Sequence, residues 1–305
     1  MSKLARRMNL ARARDYLVKK MFNLCQELGF HITLNHFYSP IPDTRLLKDN
    51  LWTKPSELVG LNINEKEQLK LLTFFSSHFK IEYDAFPTNK TPYPYEYYID
   101  NPNFGSVDAE ILWCIIRHFK PHRILEIGSG FSTLLSAQAI LKNKQDNNNY
   151  ECELVTIDPY PNKIIENGFP GLSKVIPKKV QDVSLTEFQK LQKNDILFID
   201  SSHVLKIGND VQYEYLEVLP RLNKGVIVHS HDIFLPVEYH KNWVLKDHVF
   251  WNEQYLLQSF LTFNDTFEVL WAGTYMHLNN PEQLQKAFRS YKREMPASFW
   301  IRRIK

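Results

Sequence analysis

Asp200, His203, His229, His231 and Asp232 bring carboxylate and imidazole together within a short stretch of chain. Side chains of these types can bind a divalent metal, and nitrogen with oxygen ligands suits zinc, iron or manganese better than calcium. Asp200, His231 and Asp232 would make an open three-ligand site, with His229 as a further ligand. A metal held there could fix two substrate oxygens and make a hydroxyl more acidic. In the metal-free alternative the histidines are hydrogen-bonded pocket residues and one is a general base, for which an ordinary pKa of about 6.5 is well placed. His203 is then the preferred base. No spacing here matches a fixed metal motif, so both readings stay open.

The elements that must position this cluster are two buried strands. Asp195-Ile-Leu-Phe-Ile-Asp200 is a continuous apolar run ending in an acid, as in a central parallel strand covered on both faces. A helix follows in which Val211, Tyr215, Leu216 and Leu219 share one face. Asn223-Lys-Gly225 closes it and opens the next strand, Val226 to Asp232. Alternation puts His229 and His231 on one side of that strand and Asp232 on the other, unless the strand has already ended. If the two strands are neighbours, their carboxyl ends converge.

Upstream, Arg123-Ile-Leu-Glu126-Ile-Gly128-Ser129-Gly130 reads as a strand running into a glycine turn, and Ser132 and Thr133 open an alanine-rich helix. Such a unit holds a nucleotide or nucleoside at the strand's carboxyl end. A dinucleotide fingerprint needs a third glycine where this chain has Thr133, and Glu126 would repel a phosphate. A carboxylate there suits a cationic, amino-bearing ligand. Leu154 to Asp158 is a second strand ending in an acid, which in a nucleoside site takes both ribose hydroxyls. Ser173 to Asp182 is a plausible third strand with an acid just after it, although Asp182 could equally begin a helix over Leu185–Gln192. Strands alternating with helices, with acids at strand ends, predict a doubly wound α/β sheet.

Leu125 to Thr133, Ile157-Asp-Pro159, Phe198 to His203 and His231 to Pro236 together resemble the class I S-adenosylmethionine (SAM)-dependent methyltransferases, specifically the type 24 family. Glu238-Tyr239 and Trp251 to Leu257 also resemble bacterial members. The resemblance implies a Rossmann-like, seven-stranded methyltransferase sheet, mostly parallel with an antiparallel last strand, and SAM as cofactor. It implies donor contacts at Glu126, Gly128, Gly130 and Asp158, with the adenine amino group at Asp182, and Ser129, Ser132 and Thr133 of the same turn are further cofactor-binding candidates. It places Asp200, His203, His231 and Asp232 around the transferred methyl. Related O-methyltransferases hold magnesium with paired acids at two strand ends, whereas here His231 precedes Asp232. The expected reaction is transfer to an oxygen, less readily a nitrogen, of a small molecule or glycan. Rivals are an NAD-dependent oxidoreductase using the same turn and a non-catalytic module that scaffolds a partner.

The division expected is residues 1–105 as an N-terminal, mainly helical extension that could lid the acceptor pocket, and 106–305 as the methyltransferase domain. Lys3 to Leu28 reads as a helix whose Arg6, Arg7, Arg12, Arg14, Lys19 and Lys20 make either a solvated basic face or a contact with anionic lipid. Tyr93, Tyr95, Tyr97, Tyr98 and Phe104 lie among prolines, suited either to ligand or to packing. A net charge of +3 over 305 residues does not call for nucleic acid. Scattered Cys25, Cys114 and Cys152 favour a reducing cytoplasm, and no apolar run nears the ~20 residues that span a bilayer.

Towards the C-terminus, Trp251–Phe263 reads as a helix with Tyr255, Leu256, Ser259 and Phe260 on one side. Glu253 in its first turn suits a capping role. Phe267–Ala272 and Thr274–Leu278 read as the sixth and seventh strands, and Arg302-Arg303 as a solvated end.

Overall fold

Four short runs of aliphatic residues, Arg123–Ile127 (β1), Glu153–Ile157 (β2), Ile196–Ile199 (β4) and Ile227–Ser230 (β5), form the centre of a parallel sheet, with Lys174–Ile176 (β3) at one edge. Phe267–Ala272 (β6) and Phe299–Arg303 (β7) complete seven strands in the order β3-β2-β1-β4-β5-β7-β6. β7 runs antiparallel to both β5 and β6. The computed structural model describes residues 3–305, with the side chains of residues 3–9 and of residue 11 outside it. The Arg6 and Arg7 part of the expected basic face therefore lies outside the described residues.

Pleating divides the core between the two faces of the sheet. Ile124 points to one side, towards the helices Glu65–Tyr83, Asp108–Phe119 and Phe131–Asp146. Leu125 and Ile127 point to the other, towards Phe188, Val211, Tyr215 and Leu257. The chain divides separately into two compact units. One comprises the segment up to Thr53 with His240–Phe250; the other comprises Lys54–Tyr239 with Trp251–Lys305 and holds the whole sheet. Residues 54–105 thus belong to the same unit as the sheet. All three cysteines are free thiols. Among the described residues, no helix is long and apolar enough to cross a membrane.

The seventh strand is not Thr274–Leu278, which forms the helix Gly273–Asn279 and buries Thr274 and Met276. The slot between β5 and β6 is covered on both faces, and only a strand apolar on both sides fills it. Phe299, Trp300 and Ile301 do so, all of them buried. The C-terminal arginines are accordingly part of the sheet: Arg302 lies opposite Glu268 and donates to it at 2.7 Å, and Arg303 donates to the Pro220 carbonyl at 2.8 Å.

Two helical faces also differ from expectation. After Asp210–Tyr213 the chain widens into a π-turn over Glu214–Val218, which keeps Val211, Tyr215 and Leu219 buried but rotates Leu216 into solvent. The helix Glu253–Leu261 buries Glu253, Gln254, Leu257 and Leu261 and exposes Tyr255 and Ser259, because Gln254 is recruited to accept from the Phe234 N–H at 3.1 Å. The predicted helix over Leu185–Gln192 ends at Gln189, started by Ser184, whose Oγ accepts from the Thr186 N–H.

Candidate active site

The glycine turn has two distinct reasons for its two glycines. Gly128 sits at φ +87, and a Cβ there would lie 2.1 Å from the Asp200 carbonyl oxygen, so it is required where the ends of β1 and β4 meet. A Cβ on Gly130 would meet nothing within 4 Å. The Gly130 N–H donates to Thr133 Oγ1 at 3.0 Å, starting the helix Phe131–Asp146.

Around this turn lies a cavity of about 520 Å³ at the carboxyl ends of β1, β2 and β4, lined among others by Gly128, Ser129, Asp158, Gln181 and Asp200. In an open α/β sheet, ligands bind where neighbouring strands lead off in opposite directions, here between β1 and β4. Asp158 Oδ2 accepts from Ser129 Oγ at 2.5 Å, and its Oδ1 accepts from the Tyr160 N–H at 2.8 Å. Glu126 is buried beneath the turn and does not line the cavity. Its Oε1 accepts from Ser132 Oγ at 2.5 Å while its Oε2 has no partner. Burial raises its pKa to about 8, against the opposing bonds from Ser132 and Thr133.

Asp182 is exposed and stays out of the cavity. The short 3-10 turn Val180–Asp182 directs the preceding residue, Gln181, inward instead. Gln181 Nε2 donates to the Gly208 carbonyl at 3.4 Å, and its buried Oε1 has no partner. A buried acceptor left open beside a cavity calls for a ligand donor.

Asp200 directly follows β4 on the cavity wall and also belongs to the acid and imidazole cluster. Ligand atoms of Asp200, His231 and Asp232 lie within 4.8 Å of one another. His231 Nδ1 is 3.9 Å from Asp200 Oδ1 and 3.6 Å from Asp232 Oδ1, and its Nε2 is 3.8 Å from Asp108 Oδ2. β5 ends at Ser230, and Asp232, at φ +54, turns back towards His231. His203 adopts φ +58 and presents Nε2 3.3 Å from Asp200 Oδ1 and 3.4 Å from Asp232 Oδ2. Two non-glycine residues with left-handed backbone at one site mark stored strain.

His229 stands apart from this group. Its ring stacks on Phe198 at 3.8 Å, its Nε2 pairs with Ser298 Oγ at 3.1 Å, and burial pushes its pKa well down. It is a neutral core histidine, and the expectation of a further metal ligand there is corrected. His231 shares its side of the strand as expected, with ring centroids 5.6 Å apart. Burial alone would depress His231 too, but the charges of Asp232 and Asp200 outweigh it and hold its pKa well above the usual value.

Glu253 was expected to cap a helix. It is instead buried, its Oε2 bonded to His203 Nδ1 at 2.9 Å and its Oε1 accepting from Tyr215 Oη at 2.9 Å. For His203, burial opposes the charge; the bonds to Asp200 and Glu253, with the charges of Glu253 and Asp232, more than reverse that and bring its pKa to about 10. His203 is therefore a cation at neutral pH, with both ring nitrogens facing carboxylates. This differs from the general base expected, because three acids surround one imidazole. Asp108 was not singled out in sequence; it accepts from the Ala297 and Ser298 N–H groups at 2.9 and 3.0 Å and backs His231. Of the tyrosine-rich segment, Tyr97 and Phe104 are packing residues. Tyr97 Oη donates to the Phe104 carbonyl at 2.6 Å, and the Phe104 ring lies 5.1 Å from that of His231. Tyr93 and Tyr95 stay exposed.

Residues 125–233 match a family model described as a methyltransferase domain. An uncharacterized protein of Archaeoglobus fulgidus is 34% identical over 181 residues, covering 56% of this chain and 78% of that protein. Among solved structures, an O-methyltransferase from Bacillus cereus in complex with SAH is similar at 13% identity and a TM-score of 0.36, covering 77% of this chain and 91% of that one. The apo structure of CmcI-N160 is similar at 13% identity and a TM-score of 0.34, covering 72% of this chain and 89% of that one.

Proposed function

The chain belongs to the type 24 family of methyltransferase domains, and from that premise we propose that it moves the methyl group of SAM to a hydroxyl oxygen of a small molecule or glycan. The cavity suits the donor. Its volume of about 520 Å³ falls within the range of small-molecule sites. Asp158 with Ser129 offers paired acceptors for the two ribose hydroxyls. The open Oε1 of Gln181 would accept from the adenine amino group, in place of its neighbour Asp182. Glu126, buried under the turn with its Oε2 open, stands behind the cavity wall and would act on an ammonium group through its charge, across the turn. The cavity wall carries Asp158, Asp200 and Asp210 against Lys179 and Lys206, and Asp200, at the cluster, favours a cationic sulfonium beside it.

The observation that carries the acceptor half is that Asp200 serves both places: it lines the donor cavity and stands in the cluster with His203, His231 and Asp232. An acceptor hydroxyl brought to that cluster lies against the methyl group. The sulfonium is already activated, so the protein's task is to align the attack and take one proton. Asp200, its side chain 34% exposed, is the group open to receive it. His203, clamped by Glu253, holds Asp200 and Asp232 in place through a single charged ring. The donor set Asp200, His231 and Asp232 also fits a divalent cation, which when bound would lower the hydroxyl's pKa at this spot. We place the enzyme in the cytoplasm on its three free thiols, with no nucleic-acid partner.

The test is a screen of hydroxylated small molecules and glycans for release of S-adenosylhomocysteine, run before and after dialysis against a chelator. Turnover that survives the chelator and is lost in Asp200→Asn assigns the proton to Asp200; turnover restored only by a divalent cation assigns the metal. Donor binding without turnover on any acceptor would favour the scaffold reading.

A further inference from the structure

The helix Lys3–Glu27 leaves a long apolar edge in solvent. Leu10, Leu17, Met21, Leu24 and Leu28 are 44–66% exposed. The Leu28 N–H donates to the Leu24 carbonyl at 3.2 Å, so Leu28 continues the last turn. With Arg14 filling the one gap, positions 10, 14, 17, 21, 24 and 28 alternate steps of four and three, the 3.5-residue period of a coiled-coil seam. This is not the edge that the helix turns to its own unit. Val18 and Phe22 line an apolar cavity with Ile32 and Leu34, Phe22 lies 5.5 Å from the His31 ring, and Cys25 is buried. One edge is docked and a second, equally regular one is left over.

We propose that this edge pairs, antiparallel, with the same edge of a second copy of this chain. The register follows from the residues. A parallel pairing would stack Arg14 on Arg14 of the second copy inside the seam. An antiparallel pairing centred between residues 22 and 23 sets Leu17 against Leu28 and Met21 against Leu24, then repeats both layers by symmetry. All four layers are apolar, and Arg14, held to its own Asp15 at 3.0 Å, falls beyond the end. Lys20 and Glu27, seven residues apart, flank the seam on the same side. Antiparallel helices bring such positions face to face, so Lys20 meets Glu27 of the second copy twice across the pair. In a parallel pair Lys20 would instead face the position of Cys25, which is buried. Among the described residues neither Lys20 nor Glu27 has an ion pair in its own chain; Lys20 Nζ only overlies its own Tyr16 ring at 5.1 Å. The inference rests on this helix alone and does not depend on the methyl-transfer reading.

Sedimentation velocity on the full chain over a wide concentration range tests it. The expected result is a reversible monomer–dimer equilibrium whose Kd rises by about 100-fold or more in Leu17→Glu/Leu24→Glu, since each change strikes two layers. Lys20→Glu alone and Glu27→Lys alone should each weaken the dimer, and the double swap should restore it to within about threefold. These positions are exposed, so donor binding should be unchanged in every variant. A chain that stays monomeric throughout, or a dimer indifferent to Leu17→Glu/Leu24→Glu, would overturn the proposal. A dimer indifferent to both single charge changes would overturn the antiparallel register. Monomeric protein that floats with phosphatidylserine vesicles, and ceases to in Leu17→Glu/Leu24→Glu, would assign the edge to lipid instead.

Discussion

The carboxylate of Glu253 lies 2.9 Å from Nδ1 of His203, a contact between two buried residues fifty positions apart. It decides the protonation of the cluster. Glu253 leaves His203 no neutral nitrogen with which to act as a base, and it fixes the ring so that Nε2 points at Asp200 and Asp232. Tyr215 in turn holds Glu253 from behind.

Glu253→Gln should therefore lower the His203 pKa from about 10 towards its ordinary value. It should also cost about 3 kcal/mol of stability, because a buried charge loses its partner. Proton binding by His203 is linked to folding. A histidine whose folded pKa is raised contributes stability that is full below about 6.5 and is lost as pH climbs through about 10. The stability gap between wild type and Glu253→Gln should thus be widest at pH 6 and close towards pH 10. Chemical denaturation across that range checks it, with the imidazole proton shift read by NMR.

Glu126 should couple donor binding to proton release. Its carboxyl, raised to about 8 by burial, is mostly protonated at pH 7 in the donor-free protein. An ammonium group brought to the turn above it favours the ionised form, so binding lowers the pKa and expels a proton. Donor affinity should accordingly rise between pH 6 and 8. Calorimetry in two buffers of different ionisation heat should count close to one proton at pH 7, and Glu126→Gln should abolish the count.

The two glycines should separate fold from ligand. Gly128→Ala sets a methyl against the Asp200 carbonyl at a backbone angle that alanine adopts poorly. It should cost more than about 2 kcal/mol. Gly130→Ala meets open space in the protein. It should leave thermal melting within a few degrees of wild type while weakening the donor. Equal destabilisation of both would refute the distinction.

Gln181→Ala should weaken the donor about tenfold, the net worth of one hydrogen bond at a site where the amide oxygen has no other partner. Asp182→Ala, at an exposed position, should change it little. Competition by an analogue with a carbonyl in place of the adenine amine should be poor against wild type and improve in the alanine variant.

Much of this was legible from local pattern. The strand ends at Glu126, Asp158 and Asp200 and the glycine turn are written in runs of a few residues, and β1, β2, β4 and β5 lie where those runs put them. What sequence hid depends on distant partners. Phe299–Ile301 resembles any short apolar run until the gap between β5 and β6 selects it, and Thr274–Leu278 looks equally strand-like without that gap. Glu253 sits in the first turn of a helix, where acids are common, and only the folded chain reveals His203 behind it. Gln181 and Asp182 are adjacent polar residues, and a single 3-10 turn chooses between them. His229 and His231 share a strand face, yet Phe198 and Ser298 claim the first for the core.

The central claim is that the cavity holds SAM. Titration calorimetry of the dialysed protein with SAM and S-adenosylhomocysteine tests it most directly. The account predicts one site per chain with a micromolar Kd, weakened about 100-fold or more in Asp158→Ala, where the ribose loses its charged acceptor. Absence of binding by the folded protein, or undiminished binding in Asp158→Ala, would contradict it.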